Sequence, residues 1–325
     1  MERKEYNIAI VGATGLVGTT FLKILEEYDI PVRDLRLFAS SRSKGKKMRF
    51  KDREYTVSEL NEKAFDDIDF ALFSAGASVS EKYAPVAEEK GAVVIDNSSA
   101  FRMEDGIALI VPEINPDDYD KTRGIIANPN CSTIQAVLPL FAAMKKYHLK
   151  KVVYSTYQSV SGSGMKGIFD YKSALDGFPK EFYPYDIAKT CIPKIGEMHE
   201  DGRTQEERKM IGETRKILHL PKLEIEATCV RVPIENGHGV SVYVETEEDV
   251  NLDEIRDLWK HQEGLKYAEY PVTTDATGTD DIYVGRLRAG DCNPKSFLFY
   301  CVADNIRKGA ASNAVQILRK LISKE

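Results

Sequence analysis

The chain has 325 residues, 42% of them hydrophobic, with 45 Lys and Arg set against 51 Asp and Glu for a formal net charge of −6. That length suits two domains with ordinary cores, and the acidic balance argues against a general nucleic-acid surface; the basic runs Arg42–Lys47 and Arg203–Lys216 are local. The five cysteines, at 131, 191, 229, 292 and 301, form no Cys-x-x-Cys pair, so neither a disulfide framework nor a metal site is expected. No secretory leader or membrane-spanning run is read in the sequence, and the expected location is the cytoplasm.

The first third alternates strands and helices. Asn7–Val11 reads as a buried strand and Leu16–Tyr28 as a helix, with Val17, Phe21, Ile24, Leu25 and Tyr28 on one stripe. Between them lies Gly12-Ala13-Thr14-Gly15-Leu16-Val17-Gly18. Its glycines let the turn tighten and bring backbone amides close to a pyrophosphate. Glycine turns also arise for steric reasons alone; the position between a strand and an amphipathic helix is what points to a dinucleotide. A second strand, Leu35–Ala39, ends in Ser40-Ser41-Arg42-Ser43, with no acid for a ribose hydroxyl. Ser40, Arg42 and Ser43 suit a 2′-phosphate, so NADP(H) is expected over NAD, while Lys44, Lys46 and Lys47 read as a solvated loop. Phe70–Phe73, a helix over Glu81–Lys90 and Ala92–Ile95 complete a Rossmann-like, doubly wound and mostly parallel sheet.

After Gly124-Ile125-Ile126 comes Ala127-Asn128-Pro129-Asn130-Cys131-Ser132-Thr133-Ile134-Gln135, leading into the helical Ala136–Leu140. This places a thiol at a helix start, where amides and the helix dipole favour its ionisation. A thiolate nucleophile needs a proton partner, and Gly237-His238-Gly239 offers one; His148, His199, His219 and His261 lie in mixed or charged contexts. The competing readings are a buried apolar cysteine and a turn with a solvated imidazole. The second part of the chain carries longer, alternating strands at Lys151–Tyr157, Ala227–Val232, Val240–Glu245 and Phe297–Val302, with helices over Gln205–Leu218 and Asn251–Gly264. These describe an α+β domain with a mixed sheet. Tyr171–Met198 reads as a long arm, and Gly309–Lys324 as a last helix. Arg231, inside an apolar strand, is costly unless paired.

A thiolate beside a nicotinamide implies attack on an acyl carbon followed by hydride transfer, with the histidine moving a proton at the oxygen. The glycine turn, Asn130-Cys131-Ser132-Thr133, Tyr157-Gln158-Ser159, and Arg231-Val232-Pro233 with His238 together resemble the aspartate-β-semialdehyde dehydrogenase family, in its bacterial branch with an Asn-Pro-Asn-Cys-Ser-Thr run. The resemblance spans nearly the whole chain. It implies NADPH-dependent reduction of L-aspartyl 4-phosphate to aspartate 4-semialdehyde and phosphate, feeding lysine (through diaminopimelate), threonine and methionine. It also implies a homodimer.

Residue by residue, the resemblance makes Cys131 the nucleophile, His238 the acid/base, and Gln158 and Asn130 the groups that orient the acyl function. Arg231 would grip the substrate carboxylate, Arg102 and Lys209 the phosphate, and Glu206 the amino group, with Glu207 left as its competitor. Sequence alone reads Glu206 and Lys209 as a surface ion pair. Ser74-Ala75-Gly76 would line the cofactor groove, Ser161 and Gly162 would approach the nicotinamide, and Asn305 would bind its amide. Where the family often has tryptophan, Lys308 stands. Residues 1–127 with 306–325 are expected to bind NADP, and 128–305 to carry catalysis and dimerisation. The alternatives are an N-acetyl-glutamyl-phosphate reductase, whose run typically has Gly-Cys-Tyr here, and a non-catalytic NADP-binding protein. A cysteine hydrolase would explain neither Arg42 nor the first domain.

Overall fold

A computed structural model describes residues 4–119, 124–178 and 181–323. The chain divides into two compact units, Met1–Pro129 with Ala310–Glu325, and Asn130–Gly309.

The first unit runs β1 (Tyr6–Val11), α1 (Leu16–Glu27), β2 (Val32–Ala39), β3 (Lys47–Phe50), β4 (Arg53–Thr56), β5 (Ser58–Glu59), β6 (Phe70–Phe73), α2 (Ala77–Glu89), β7 (Val93–Asp96), β8 (Ala108–Leu109) and β9 (Ile125–Ala127). The strands order as β5-β2-β1-β6-β7-β9-β8 and pair parallel, with β3 and β4 forming a separate ribbon. Within β1, Ile8 and Ile10 join one core with Phe21 and Ile24 of α1 and Val315 of the terminal helix (Ser312–Ser323), while Ala9 and Val11 join another with Ala84 and Ala87 of α2. Burial on both faces is why this strand reads as a continuous apolar run. The chain leaves β1 toward β2 on one side and returns to β6 on the other, so the sheet's switch point falls at the carboxyl end of β1, where the glycine turn begins.

The second unit runs α3 (Cys131–Met144), β10 (Leu149–Gln158), α4 (Gly164–Leu175), α5 (Gln205–Ile217), β11 (Glu224–Arg231), β12 (His238–Thr246), α6 (Leu252–Lys260), β13 (Leu265–Tyr267), α7 (Thr273–Ala276), β14 (Ile282–Ala289) and β15 (Ser296–Ala303). Its sheet, ordered β11-β10-β12-β15-β14-β13, is mixed: β10–β11 and β13–β14 are parallel and the other pairings antiparallel. Along β10, Val152, Tyr154, Thr156 and Gln158 are buried, while Tyr157 is exposed. The buried side faces helices: Tyr154 Oη lies 3.2 Å from Thr214 Oγ1 of α5. Pro139 inside α3 cannot donate to the Gln135 carbonyl, and the Cys301 thiol of β15 donates to that oxygen instead at 3.4 Å. The Pro139 carbonyl accepts from Trp259 Nε1 at 3.0 Å, anchoring α6.

Three expectations are corrected. The arm read from Tyr171 begins as the end of α4; among the described residues only the part after Leu175 is irregular, tied to β11 where Ile192 and Arg231 exchange backbone bonds of 2.9 Å. The last helix does not begin as α at Gly309: a π-helical turn, Arg307–Ala311, precedes Ser312–Ser323, and Lys324 lies outside the described residues. The helix expected from Glu81 starts a full turn earlier, at Ala77. None of the five cysteines is in a disulfide. Among the described residues no helix is long and apolar enough to cross a membrane.

Candidate active site

Cys131, half-buried, is the first residue of α3. Asn130 caps the helix, its Oδ1 accepting from Ser132 N at 2.9 Å and Thr133 N at 3.2 Å. The same amide donates through Nδ2 to Glu206 Oε1 at 2.8 Å, and the Asn130 N–H donates to Glu213 Oε2 at 2.6 Å. The start of the thiol's helix is therefore pinned to α5 by both ends of one residue.

Glu206 gathers the other polar groups. Gln158 Nε2, at the end of β10, donates to the same Oε1 at 3.0 Å, and Lys209 Nζ lies 3.2 Å from Oε2. Gln158 is oriented from behind, because its Oε1 accepts from Thr156 Oγ1 at 3.1 Å. Burial alone would raise the Glu206 pKa. Lys209, the two amide donors and Arg231 more than offset it, and the carboxyl is held down at about 2. Glu207 points elsewhere: it closes a capping box with Thr204 and accepts from Cys229 N at 3.0 Å. Of the two acids, Glu206 is the one turned toward Asn130 and Gln158.

The register of β10 on β11 places Gln158 opposite Arg231, and Arg231 Nη1 donates to the Ser159 carbonyl at 2.6 Å. This guanidinium is 5% exposed and forms no ion pair within 4.0 Å among the described residues. Ser159 in turn donates its N–H to His238 Nδ1 at 3.0 Å. His238 opens β12 and is fully buried; burial, reinforced by Arg231, lowers its pKa to about 3, so the imidazole is neutral at physiological pH. Its Nε2 has no hydrogen-bond partner among the described residues. The ring of contacts closes at α3, where Gln135, one turn after the thiol, donates to the His238 carbonyl at 3.1 Å. Two glycines make room: a Cβ on Gly162 would sit 2.8 Å from Arg231 Nη1 and 3.1 Å from His238 Nε2, and one on Gly309 would sit 2.8 Å from Cys131 Cβ.

Of the residues expected here, Cys131, Asn130, Gln158, Glu206, Lys209, Arg231, His238 and Gly162 are thus brought together in the second unit. Ser161 and Asn305 are also in this unit, but their polar atoms bond to each other and to Ser159, Asn236 and Gly237. Arg102 belongs to the first unit, where Nε and Nη2 donate to the Asn128 and Asn97 carbonyls, each at 2.9 Å.

The first unit's glycine turn is a backbone cradle. Gly12 has φ +85°, and a Cβ there would lie 2.9 Å from Ser74; one on Gly18 would lie 2.2 Å from the Gly12 carbonyl. Ala13, Leu16 and Val17 complete the strand-to-helix passage. Neither Gly15, which caps α1, nor Gly76, which caps α2, brings a side chain to the helix amides. Those N–H groups fit the phosphates of a dinucleotide. Thr14 Oγ1 lies 3.2 Å from the buried Ser43 Oγ, tying the turn to the loop that holds exposed Ser40 and Arg42. Lys44 and Lys47 pair with Glu59 and Glu54, as a solvated loop would. Ser74 and Ala75, at the end of β6, are half-buried beside Gly12.

Sequence reading gave no role to Ser159, Gln135 or Glu213. Glu213 left a signal: it repeats the Glu206 position two helical turns on, an acid on the face that also carries buried Met210.

Residues 7–122 match the family described as "Semialdehyde dehydrogenase, NAD binding domain", and residues 137–308 match "Semialdehyde dehydrogenase, dimerisation domain". A protein named aspartate-semialdehyde dehydrogenase from Aquifex aeolicus is 48% identical over 98% of this chain and 98% of its own. One of the same name from Bacillus subtilis is 44% identical over 97% of each. The crystal structure of aspartate semialdehyde dehydrogenase II complexed with ASA, from Vibrio cholerae, matches with a TM-score of 0.95 at 41% identity, covering 98% of this chain and 99% of that one.

Proposed function

Because the chain belongs to the aspartate-semialdehyde dehydrogenase family, we propose that it reduces L-aspartyl 4-phosphate to L-aspartate 4-semialdehyde and phosphate through a thioester on Cys131. The relatives' names do not favour the N-acetyl-glutamyl-phosphate reductase alternative. NADPH, when bound, supplies the hydride. The dinucleotide is assigned to residues 1–127 with 306–325, and catalysis and dimerisation to 128–305. The chain acts in the cytoplasm as a homodimer.

The observation that carries this reading is that the cap of the thiol's helix bonds to Glu206 and Glu206 to Gln158, that strand pairing sets Gln158 opposite Arg231, and that Arg231 bonds to Ser159 and Ser159 to His238. In the proposed reaction the Cys131 thiolate attacks the acyl carbon, and the bond to phosphate breaks with its electron pair on the leaving oxygen. After reduction, the C–S bond breaks and its pair returns to sulfur. Asn130 and Gln158 orient the acyl group. His238 attends the oxygen on which negative charge develops. Arg231, a buried guanidinium with no acid of its own, takes the α-carboxylate as a bidentate fork. Glu206, kept ionised, takes the ammonium, and Lys209 with Arg102 takes the phosphate.

The test runs in the oxidative direction: aspartate semialdehyde, phosphate and NADP+ should give reduced nicotinamide, followed by its absorbance. Turnover with N-acetyl-glutamate semialdehyde but not aspartate semialdehyde would overturn the substrate assignment.

A further inference from the structure

The proposed reaction needs Arg102 aimed at the phosphate. Its guanidinium lies across the carboxyl ends of two neighbouring strands: Nη2 donates to the carbonyl of Asn97, just past β7, and Nε to that of Asn128, just past β9, each at 2.9 Å. A planar fork held on two carbonyls points where they direct it. The same two residues meet again through their side chains, where Asn128 Nδ2 donates to Asn97 Oδ1 at 2.7 Å. Asn128 is held in turn from the terminal helix. Asn313 Nδ2 donates to Asn128 Oδ1 at 2.7 Å and to the carbonyl of Ile110, just past β8, at 3.0 Å. A carbonyl only accepts, so Ile110 fixes which end of the Asn313 amide is nitrogen. The atom of Asn128 that faces it is then oxygen, and so is the atom of Asn97 that faces Asn128 Nδ2. The Ala310 carbonyl takes the other hydrogen of Asn128 Nδ2 at 3.3 Å. Asn128 and Asn313 are fully buried. Asn313 sits in the core beside Ala311, Ala314 and Val315, where leucine would bury with no polar group to satisfy.

We propose that Asn313, Asn128 and Asn97 are positioning residues for phosphate recognition: a row of amides that locks the two carbonyls on which Arg102 rests, and through them the direction of its guanidinium. The proposal rests on the reading that Arg102 takes the phosphate. It gives the terminal helix a part in substrate recognition, exerted through Arg102 and not by contact. The row and Arg102 belong to the first unit, whereas Arg231 and Glu206, assigned to the carboxylate and the ammonium, belong to the second. Loosening the row therefore weakens the hold on phosphate and spares the rest of the substrate.

The test is turnover of the full chain in the oxidative direction. Asn313→Leu removes both donors at similar volume. Asn97→Ala removes only a half-buried acceptor and leaves the core intact, so it decides the matter if the first variant does not fold. The KM for phosphate should rise about tenfold in Asn313→Leu and about threefold in Asn97→Ala, with the KM values for aspartate semialdehyde and NADP+ within about twofold of wild type. A normal phosphate KM in both variants, or a rise shared by all three substrates, overturns the proposal. Arg102→Ala should raise the phosphate KM about a hundredfold, and adding Asn313→Leu to it should change nothing further; a further rise would mean that the amides act without the arginine. Binding of inorganic phosphate, followed by 31P line broadening, needs no turnover. A chain inert toward aspartate semialdehyde in which Arg102→Ala and Asn313→Leu both weaken phosphate binding would sink the reaction and keep the row. An active chain in which only Arg102→Ala weakens it would keep the reaction and remove the row. Phosphate binding untouched by Arg102→Ala would remove both the arginine's role and the row's.

Discussion

In the first unit the groups suited to an anion are main-chain amides at the starts of α1 and α2, which the capping residues Gly15 and Gly76 leave without a side-chain partner. In the second unit the working groups are side chains, and Asn130, Gln158, Glu206, Arg231 and His238 are each no more than 6% exposed. A backbone cradle is specified by where side chains are missing and changes little when a neighbour is altered. A buried polar ring is specified by mutual satisfaction: removing one member leaves another desolvated and unpaired, at about 1–3 kcal/mol or more for a charge. The two units should therefore fail separately and in different ways.

The sharpest way to break that separation is Cys131→Ser. Turnover should fall by about four orders of magnitude, because the alkoxide needed in place of a thiolate is not available at neutral pH. Binding of NADPH, followed by nicotinamide fluorescence, should stay within about twofold. A parallel loss of cofactor binding would mean that residue 131 supports the fold, and the comparison would collapse.

Acid probes the buried ring more broadly. His238 is held at about 3 against an ordinary 6.5, and Glu206 at about 2 against 4.5. Both folded values lie below the unfolded ones, so below pH 6.5 the unfolded chain binds more protons and stability drains away as pH falls. The His238 contribution, about 5 kcal/mol at most, is lost from about pH 6.5 down to about pH 3; that of Glu206, about 3 kcal/mol, is lost below about pH 4.5. Urea midpoints across this range should fall, and His238→Gln should flatten the upper part of the slope. An unchanged slope in that variant would show that the imidazole is not desolvated.

The same contrast explains what could be read from the sequence. The cradle was legible because its cause is local: glycines between an apolar strand and an amphipathic helix. Cys131 was legible for the same reason, since Asn130 is the adjacent cap. Glu206 was not, because an acid three residues before a lysine on a charged helix reads as a surface pair. It is buried only because Asn130 and Gln158, 76 and 48 residues away in sequence, come to meet it. The bonds from Ser159 to the imidazole and to Asn305 bridge separations of 79 and 146 residues and leave no local mark. The helix α4 was hidden by its glycines, yet Gly167 is required there: a Cβ would lie 2.5 Å from the Val160 carbonyl and 2.7 Å from Tyr183 Oη.

Gly12→Ala tests the cradle from the other side. A Cβ would meet Ser74 at 2.9 Å on a backbone at φ +85°, a conformation costly for alanine. The turn should shift away from the amides' best direction, and NADPH should bind about a hundredfold more weakly in calorimetry. Alkylation of Cys131 by iodoacetamide should keep its rate. A slowed thiol would show that strain in the first unit reaches the second.

Arg42→Ala should have the smallest effect and discriminate most finely. Arg42 is exposed, on a loop joined to the turn through Ser43 and Thr14, so its removal disturbs no packing. A charge-assisted bond to a 2′-phosphate from such a position contributes about 1.5 kcal/mol, about tenfold in affinity. The KM for NADPH should rise by about that factor while the KM for NADH, which has no phosphate to lose, stays put. Added salt should narrow the gap between wild type and variant, because an exposed pair is screened. Equal changes for both cofactors would mean that Arg42 shapes the loop and does not read the phosphate.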